Sequence, residues 1–390
     1  MSKVARGGKA GGVKKALVKG GRGKSQVKQG KSRMTTAKAA TKANKTAKQP
    51  VKRASKAASA VRGPNPMAVM QTASAYWNSA VLHVAASLDV FTKLAERPMT
   101  AAEVAVACGA DARGTEMILI GCVGLGFLQK KNGSFQNTKL AETFLVKGSP
   151  RYQGGIVTMF ESWVQAWSQL KKAVATGQPV VEKQHDHGPE ETRTYIMGML
   201  YRGIPQAQLL AKEVSLKGRK RMLDVGGGPG IFSIIFCQKN KGLHADVFDL
   251  PQTLAVTRDI IHQYDAAAQV STREGSYLSD PFGSGYDAVL LSSMINQEGP
   301  DVIRNILAKS FDAMESGGLL MVQEQFLNTE KSGPLLPVLI GLNQLVHTPA
   351  GRAYSAKEVA DMAEEIGFRK LSFRALPEPS PFTLITGVKP

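Results

Sequence analysis

The sequence predicts an α/β protein in which a helix-covered parallel sheet follows a mostly helical, winged-helix-like domain and a basic N-terminal tail. Three observations predict it. After about Leu216 the pattern changes from helical periodicity to an alternation of strand and helix. At Leu223-Asp224-Val225-Gly226-Gly227-Gly228-Pro229-Gly230 a strand runs straight into a glycine loop. The first 62 residues hold 19 Lys and Arg and no Asp or Glu. The expected division is a tail at 1–64, a helical domain at 65–200 and a sheet domain at 201–390.

The tail carries the whole formal charge of +19, since 31 basic and 31 acidic residues remain after Arg62. It is built of Lys, Ala, Gly, Ser, Thr and Gln and has almost nothing to bury, so it is expected to stay disordered. Its charge suits nucleic acid or another polyanion, bound without sequence preference. Gly23-Lys24-Ser25 mimics the end of a phosphate-binding loop, but Val18 stands where that loop needs glycine. Cys108, Cys122 and Cys237 are scattered, which argues against a disulfide framework or a zinc site and fits a reducing cytoplasm. No apolar run reaches the roughly 20 residues that span a bilayer, and the N-terminus lacks the apolar stretch of a secretory signal. No membrane partner is expected.

From Met67 to about Arg202 the helical pattern dominates. Thr100-Ala101-Ala102-Glu103 has capping-box spacing, Gly109-Ala110-Asp111 makes a turn, and a second apolar helix runs from about Thr115 to Val123. Asn132-Gly133, between Phe127-Leu128 and Phe135, signals a hairpin. Helix, turn, helix, hairpin is a winged-helix order, which serves either DNA recognition or packing. Glu116-Met117-Ile118-Leu119-Ile120-Gly121-Cys122 offers few donors to base edges and many side chains to a core, which favours packing. Trp163 and Trp167, one turn apart, read first as core and second as pocket wall. His185 and His187 invite a metal reading, but no third ligand is evident and no metal is expected.

In the last domain the strand candidates are Arg221 to Val225, Ala245 to Phe248, Ala288 to Leu291 and Leu319 to Val322, with Lys370 to Arg374 and Phe382 to Gly387 as a late pair. The glycine loop lets a ligand approach the backbone, and the helix opened by Pro229 favours its anionic part. A dinucleotide fingerprint fails, because Ile231 or Ser233 falls on the third glycine. Asp249, ending the strand Val247-Phe248-Asp249, is placed to accept both hydroxyls of a ribose.

The stretches Leu223 to Gly230, Asp249-Leu250-Pro251, Gly275-Ser276-Tyr277 and Gly351-Arg352-Ala353-Tyr354-Ser355 resemble the plant-type small-molecule O-methyltransferase family, which includes caffeic acid and acetylserotonin methyltransferases. Tyr76-Trp77, Leu82-His83-Val84-Ala85 and Leu125-Gly126-Phe127-Leu128 resemble its helical dimerisation domain. The likeness runs from about residue 70 to the C-terminus, and the Lys/Ala-rich tail outside it resembles histone-H1-like tails. It implies a homodimer, a Rossmann-like class I domain that binds S-adenosyl-L-methionine, and a small aromatic or cyclic substrate. Carried over residue by residue, Asp224, Gly226, Gly228, Asp249, Ser276, Tyr277 and Ser292 would hold the cofactor.

The chain departs from that family at the proton-handling positions. Asn296, in Met294-Ile295-Asn296-Gln297-Glu298, stands where the family has its catalytic His; Ala353 stands for a second acid and Tyr354 for an Arg. Glu324 keeps the first acid. An amide cannot act as a general base, though it can hold a hydroxyl or carbonyl. His347, in a stretch that lines the family's substrate pocket, is a candidate substitute base. The expected catalytic set is therefore Asn296, Glu324 and His347, acting on a carbon, nitrogen or already ionised oxygen. Two alternatives stay open: a relative that binds the cofactor without methylating, and a DNA-associated regulator, which the neutral charge after residue 62 disfavours.

Overall fold

The computed structural model describes residues 64–181 and 188–390. The basic tail and the pair His185 and His187 lie outside the described residues.

The helical part begins with α1 (Pro66–Ala73), capped by Asn65, whose side-chain oxygen accepts from the Met67 amide. It continues through α2 (Tyr76–Ser87), α3 (Val90–Glu96), β1 (Met99–Thr100), α4 (Ala101–Cys108) and α5 (Ala112–Gly124). The capping box forms: Thr100 Oγ1 accepts from the Glu103 amide, and the Glu103 carboxylate accepts from the Thr100 amide at 2.7 Å. β2 (Leu128–Lys131) and β3 (Ser134–Asn137) make the hairpin, with Asn132 and Gly133 both at positive φ, as its two-residue turn requires. Leu119 and Cys122 of α5 join a core with Ala85, Phe91, Leu128 and Phe135. The outer side of α5 shows Met117 and Ile120, apolar groups that suit packing better than base readout. After α6 (Lys139–Phe144), α7 (Gly154–Trp167) and α8 (Leu170–Thr176) comes the long α9 (Pro189–Glu213). The boundary expected between residues 200 and 201 falls inside α9.

Seven strands form the second sheet: β4 (Arg221–Val225), β5 (His244–Asp249), β6 (Val270–Glu274), β7 (Tyr286–Ser292), β8 (Met314–Glu324), β9 (Arg369–Ala375) and β10 (Thr383–Val388). Their order is β6-β5-β4-β7-β8-β10-β9. The first five are parallel, but β10 runs antiparallel to both β8 and β9. The sheet is thus mixed, whereas the alternation predicted a parallel one. The reason is local: β9 and β10 follow each other with no helix between them, and a short connection can only join antiparallel strands. The sequence reading also missed β6, because Val270-Ser271-Thr272-Arg273-Glu274 is an edge strand with a single apolar residue.

Along β4, Met222 belongs to one apolar cluster and Leu223 to the other, and Ala288/Val289 and Met321/Val322 divide in the same way. Strands are apolar on both faces because helices cover both. These are α10 (Ile231–Lys239), α11 (Pro251–Gln263), α12 (Pro300–Ala313), α13 (Leu335–His347) and α14 (Ala356–Ile366), together with α9. α9 packs closely on α10: a Cβ at Gly203 would stand 2.8 Å from Ile231 Cγ2. Among the described residues no helix is long and apolar enough to cross a membrane.

Candidate active site

A cavity opens at the carboxyl ends of β5, β4 and β7, the place where an α/β sheet reverses its strand order and accepts ligands. The glycine loop forms its floor and α9 one wall, through Tyr195, Ile196, Met199, Arg202, Gly203 and Gln206. That spacing is one face of a helix.

The loop glycines do different work. A Cβ at Gly227 would lie 2.8 Å from both Asp224 Cγ and Val247 Cγ1, so no other residue closes the turn onto the strands. Gly228 has φ +52° and nothing within 4 Å of where its Cβ would be, so its missing side chain is open space on the cavity side. Asp249, ending β5, holds this geometry: its Oδ2 accepts from the Gly228 amide at 2.8 Å and its Oδ1 from the Leu250 amide at 2.7 Å. Burial raises its pKa, against the pull of those donors. Behind the loop, Asp224 accepts from Ser233 Oγ at 2.8 Å. Burial pushes its pKa up to about 7.

The other expected cofactor residues line the same cavity. The Ser276 amide donates to Asp280 Oδ2 at 2.7 Å, and Ser276 Oγ accepts from the Leu278 amide. Tyr277 donates its hydroxyl to Glu298 Oε1 at 2.8 Å, and burial raises the phenol's pKa. Ser292 Oγ accepts from Gln323 Nε2 at 3.4 Å. These residues fit S-adenosylmethionine: the Asp249 carboxylate keeps acceptor sites beyond the two amides it holds, as a vicinal diol requires, and the space above Gly228 is empty of protein atoms.

Asn296 lies in a 3-10 turn (Ile295–Gln297), and only its neighbour Gln297 lines the cavity. The side chain is buried, yet neither Nδ2 nor Oδ1 has a hydrogen-bond partner, an arrangement that costs about 1–3 kcal/mol per group until something pairs it. Glu324, closing β8, is buried beside it and accepts from the Gln325 amide at 2.9 Å. Burial pushes its pKa up to about 7, opposed by the Gln325 backbone amide, the Arg202 charge and the backbone amide of Asn296. Asn296 and Glu324 are therefore neighbours.

His347 sits elsewhere. It lines a second cavity with Met159, Trp163, Val180 and Thr194, and Tyr195 belongs to both cavities. Its Nδ1 is 2.8 Å from the Asn343 carbonyl. A carbonyl can only accept, so Nδ1 carries a proton. Trp163, 5.7 Å from the imidazole between centroids, is pocket wall, while Trp167 donates to Asn343 Oδ1. The loop after α13 rests on the 3-10 turn: a Cβ at Gly351 would be 2.7 Å from the carbonyl oxygens of Asn296 and Gln297. Tyr354 is fully buried and donates to the Glu298 carbonyl, and Ala353 lies against Gly341 of α13.

Sequence reasoning missed the α9 wall and Phe382. The available signal was one cation, Arg202, within the periodic stripe Tyr195, Met199, Gln206.

Comparison with known proteins agrees with this geometry. The chain matches the O-methyltransferase domain over residues 161–369 and the O-methyltransferase dimerisation domain over residues 70–147. It is 31% identical to 3-hydroxy-5-methyl-1-naphthoate 3-O-methyltransferase of Streptomyces sahachiroi, over 83% of this chain and 95% of that one. It is 29% identical to acetylserotonin O-methyltransferase of Bos taurus, over 77% and 92%. Among solved structures, PigF with S-adenosylhomocysteine superposes with a TM-score of 0.77 at 25% identity, covering 84% of this chain and 100% of that one. A glycine cradle closed by Asp249, set behind a dimerisation domain and matched along most of its length, makes the chain a member of the O-methyltransferase family, S-adenosylmethionine-dependent enzymes that act on small molecules.

Proposed function

We propose that this chain methylates a small aromatic or cyclic molecule at a carbon, a nitrogen or an already ionised oxygen, without a histidine base at the family's position. The observation that carries the reading is Asn296, a buried amide whose donor and acceptor are both unpaired, beside Glu324. Asp249 takes the ribose, Gly226 and Gly228 pass beneath it, and Ser276, Tyr277 and Ser292 complete the cofactor's surroundings, with Asp224 bracing the loop from behind. The cofactor supplies an electrophilic methyl group. The chain's own residues then orient the acceptor: Asn296 offers one donor and one acceptor, and the second cavity offers Trp163, Tyr195 and His347 as walls. The hydroxynaphthoate named for the Streptomyces relative is an acceptor of this flat kind. Losing a base costs on the order of 10²–10⁴ in rate, whereas alignment supplies effective molarities of roughly 10⁵–10⁸ M. Transfer to a ready nucleophile survives the exchange.

Kinetics of three variants test this. Asn296→Ala should raise KM about 5- to 100-fold, the cost of one lost hydrogen bond. Asn296→His should gain little on the natural acceptor. His347→Ala should leave the pH profile of the rate without a lost acid limb, because a working base imposes one that vanishes with its removal. A large rate increase in Asn296→His would sink the proposal and leave an O-methyltransferase with a damaged base.

Two further parts of the reading concern partners. Tyr76 and Trp77 of α2 and Met67, Val69 and Met70 of α1 are all more than half exposed. A contiguous apolar face of this kind, in a dimerisation domain, supports a homodimer. The 19 cationic residues before Gly63 support binding of the tail to nucleic acid or another polyanion. Truncation at Gly63 should abolish DNA binding, remove its steep dependence on salt, and leave both the dimeric state and the cofactor affinity unchanged. Equal DNA binding by the truncated protein would return the winged-helix segment to consideration.

A further inference from the structure

We propose that Asn296, Gln325 and Gln344 form a carboxamide seat for the polar edge of the acceptor, and that this edge is neutral and carries O–H or N–H donors beside a carbonyl. The assignment rests on the reading of Asn296 as the residue that holds the acceptor.

Among the described residues eight buried side-chain nitrogen and oxygen atoms have no hydrogen-bond partner, and four of them belong to these three amides: Asn296 Nδ2 and Oδ1, Gln325 Oε1 and Gln344 Oε1. All three residues are more than nine-tenths buried. A buried amide oxygen left unpaired is destabilising until something arrives to pair it. Four such atoms in one neighbourhood mark a place kept polar for a ligand.

The fold brings three separate segments to that neighbourhood. Asn296 rides on the 3-10 turn, and Gln325 directly follows its neighbour Glu324 at the end of β8. Leu327 pairs in parallel with Ser355, and its amide donates to the Tyr354 carbonyl at 2.8 Å, so Gln325, two residues back, comes level with Ala353. Ala353 in turn lies against Gly341, one turn before Gln344 on α13. From the other side, the Gln344 carbonyl accepts from Thr348 Oγ1 at 2.9 Å, and Thr348 Oγ1 accepts from the amide of Gly351, the residue packed on the Asn296 and Gln297 carbonyls. With alanine at 353, no carboxylate there competes for the three amides.

The seat also stands between the two cavities. Met294 and Gln297, on either side of Asn296, line the glycine-loop cavity, and His347, one turn after Gln344, lines the second. An acceptor whose body rests in the second cavity has to pass its reacting atom through this partition to meet a methyl group held over the loop. The unpaired atoms are three acceptors and one donor, so they match a ligand edge with two or more donors and one carbonyl. A carboxylate has no hydrogen to donate and would set its oxygens against three amide oxygens and the Glu324 carboxyl.

Titration calorimetry on the full chain loaded with S-adenosylhomocysteine tests the seat with three flat probes: an ortho-hydroxynaphthamide, the matching ortho-hydroxynaphthoate, and methylnaphthalene. The wild type should bind the naphthamide about 10-fold or more tighter than either of the others. Gln325→Met and Gln344→Met should each weaken the naphthamide about 5- to 10-fold and leave methylnaphthalene unchanged. Without ligand, the same two variants should unfold at higher urea than wild type, because each loses a buried unpaired carbonyl. A residue that only braces the fold would move the midpoint the other way. Equal affinity of the wild type for all three probes, binding of none of them, a loss shared by naphthamide and methylnaphthalene, or a lowered urea midpoint in both variants overturns the proposal. These outcomes are read from binding and unfolding without turnover, so they stay separate from the rate of Asn296→His, which alone judges the absence of a base.

Discussion

Gly228→Val should abolish binding of S-adenosylhomocysteine, a loss of at least about 100-fold. Two effects add. At φ +52° a β-branched residue is strained by roughly 1–2 kcal/mol or more. The new side chain also projects into the cavity space that the missing Cβ leaves open, where no protein atom can yield because none is there. Relaxing the turn to relieve the strain would move the Gly228 amide away from Asp249 Oδ2, so both routes disturb the cavity floor. Calorimetry reads the affinity, and circular dichroism confirms that the sheet remains. Affinity within a few-fold of wild type would mean that the cofactor does not lie over this loop.

The second large effect is on stability. The Glu324 carboxyl is buried and its pKa is pushed from 4.5 to about 7 in the folded chain. The unfolded chain therefore releases this proton first as pH rises. Below about pH 4.5 the group is neutral in both states and contributes no penalty. Between pH 4.5 and 7 the folded state retains the proton that the unfolded state has lost, so stability falls, and above pH 7 the full penalty remains. The total is on the order of 3 kcal/mol. Glu324→Gln keeps the shape and cannot ionise, so it should remove this part of the slope. In urea unfolding of the ligand-free protein, the variant should gain on wild type by on the order of 1–3 kcal/mol between pH 5 and pH 8. Asp224, also pushed up to about 7, titrates in both proteins and cancels in the comparison. Parallel pH profiles for the two proteins would show that Glu324 ionises without penalty.

Much of the fold is legible where local chemistry repeats itself. The capping box at Thr100 and Glu103, the Asn132-Gly133 turn, the strand at Arg221 and the glycine loop each declare themselves within a few residues, because the backbone geometry is set by those residues alone. The edge strand β6 does not, since its exposed side chains carry no apolar alternation. The antiparallel end of the sheet depends on what lacks a helix between its strands, which a list of strands conceals. At the site, Asp249 was readable because it ends a strand at a fixed distance from the loop. The α9 wall was not, because its place comes from the face that α9 turns to the cavity. His347 was readable as a histidine in a pocket-lining stretch, but not that its cavity is separate from the one over the glycine loop, because no local pattern distinguishes one pocket from its neighbour.

α9 also sets a rule for recombination. From Tyr195, which faces both cavities, to Gln206, this one helix carries a wall of each, and through Gly203 it is seated on α10 of the sheet domain. A chimaera joined to a homologue anywhere between Pro189 and Glu213 would pair one parent's residues on the second cavity with the other parent's residues on the glycine-loop cavity. Crossovers that keep the two sets inherited together belong ahead of α7, because Met159 and Trp163 also line the second cavity, so the walls of both cavities travel as one heritable block.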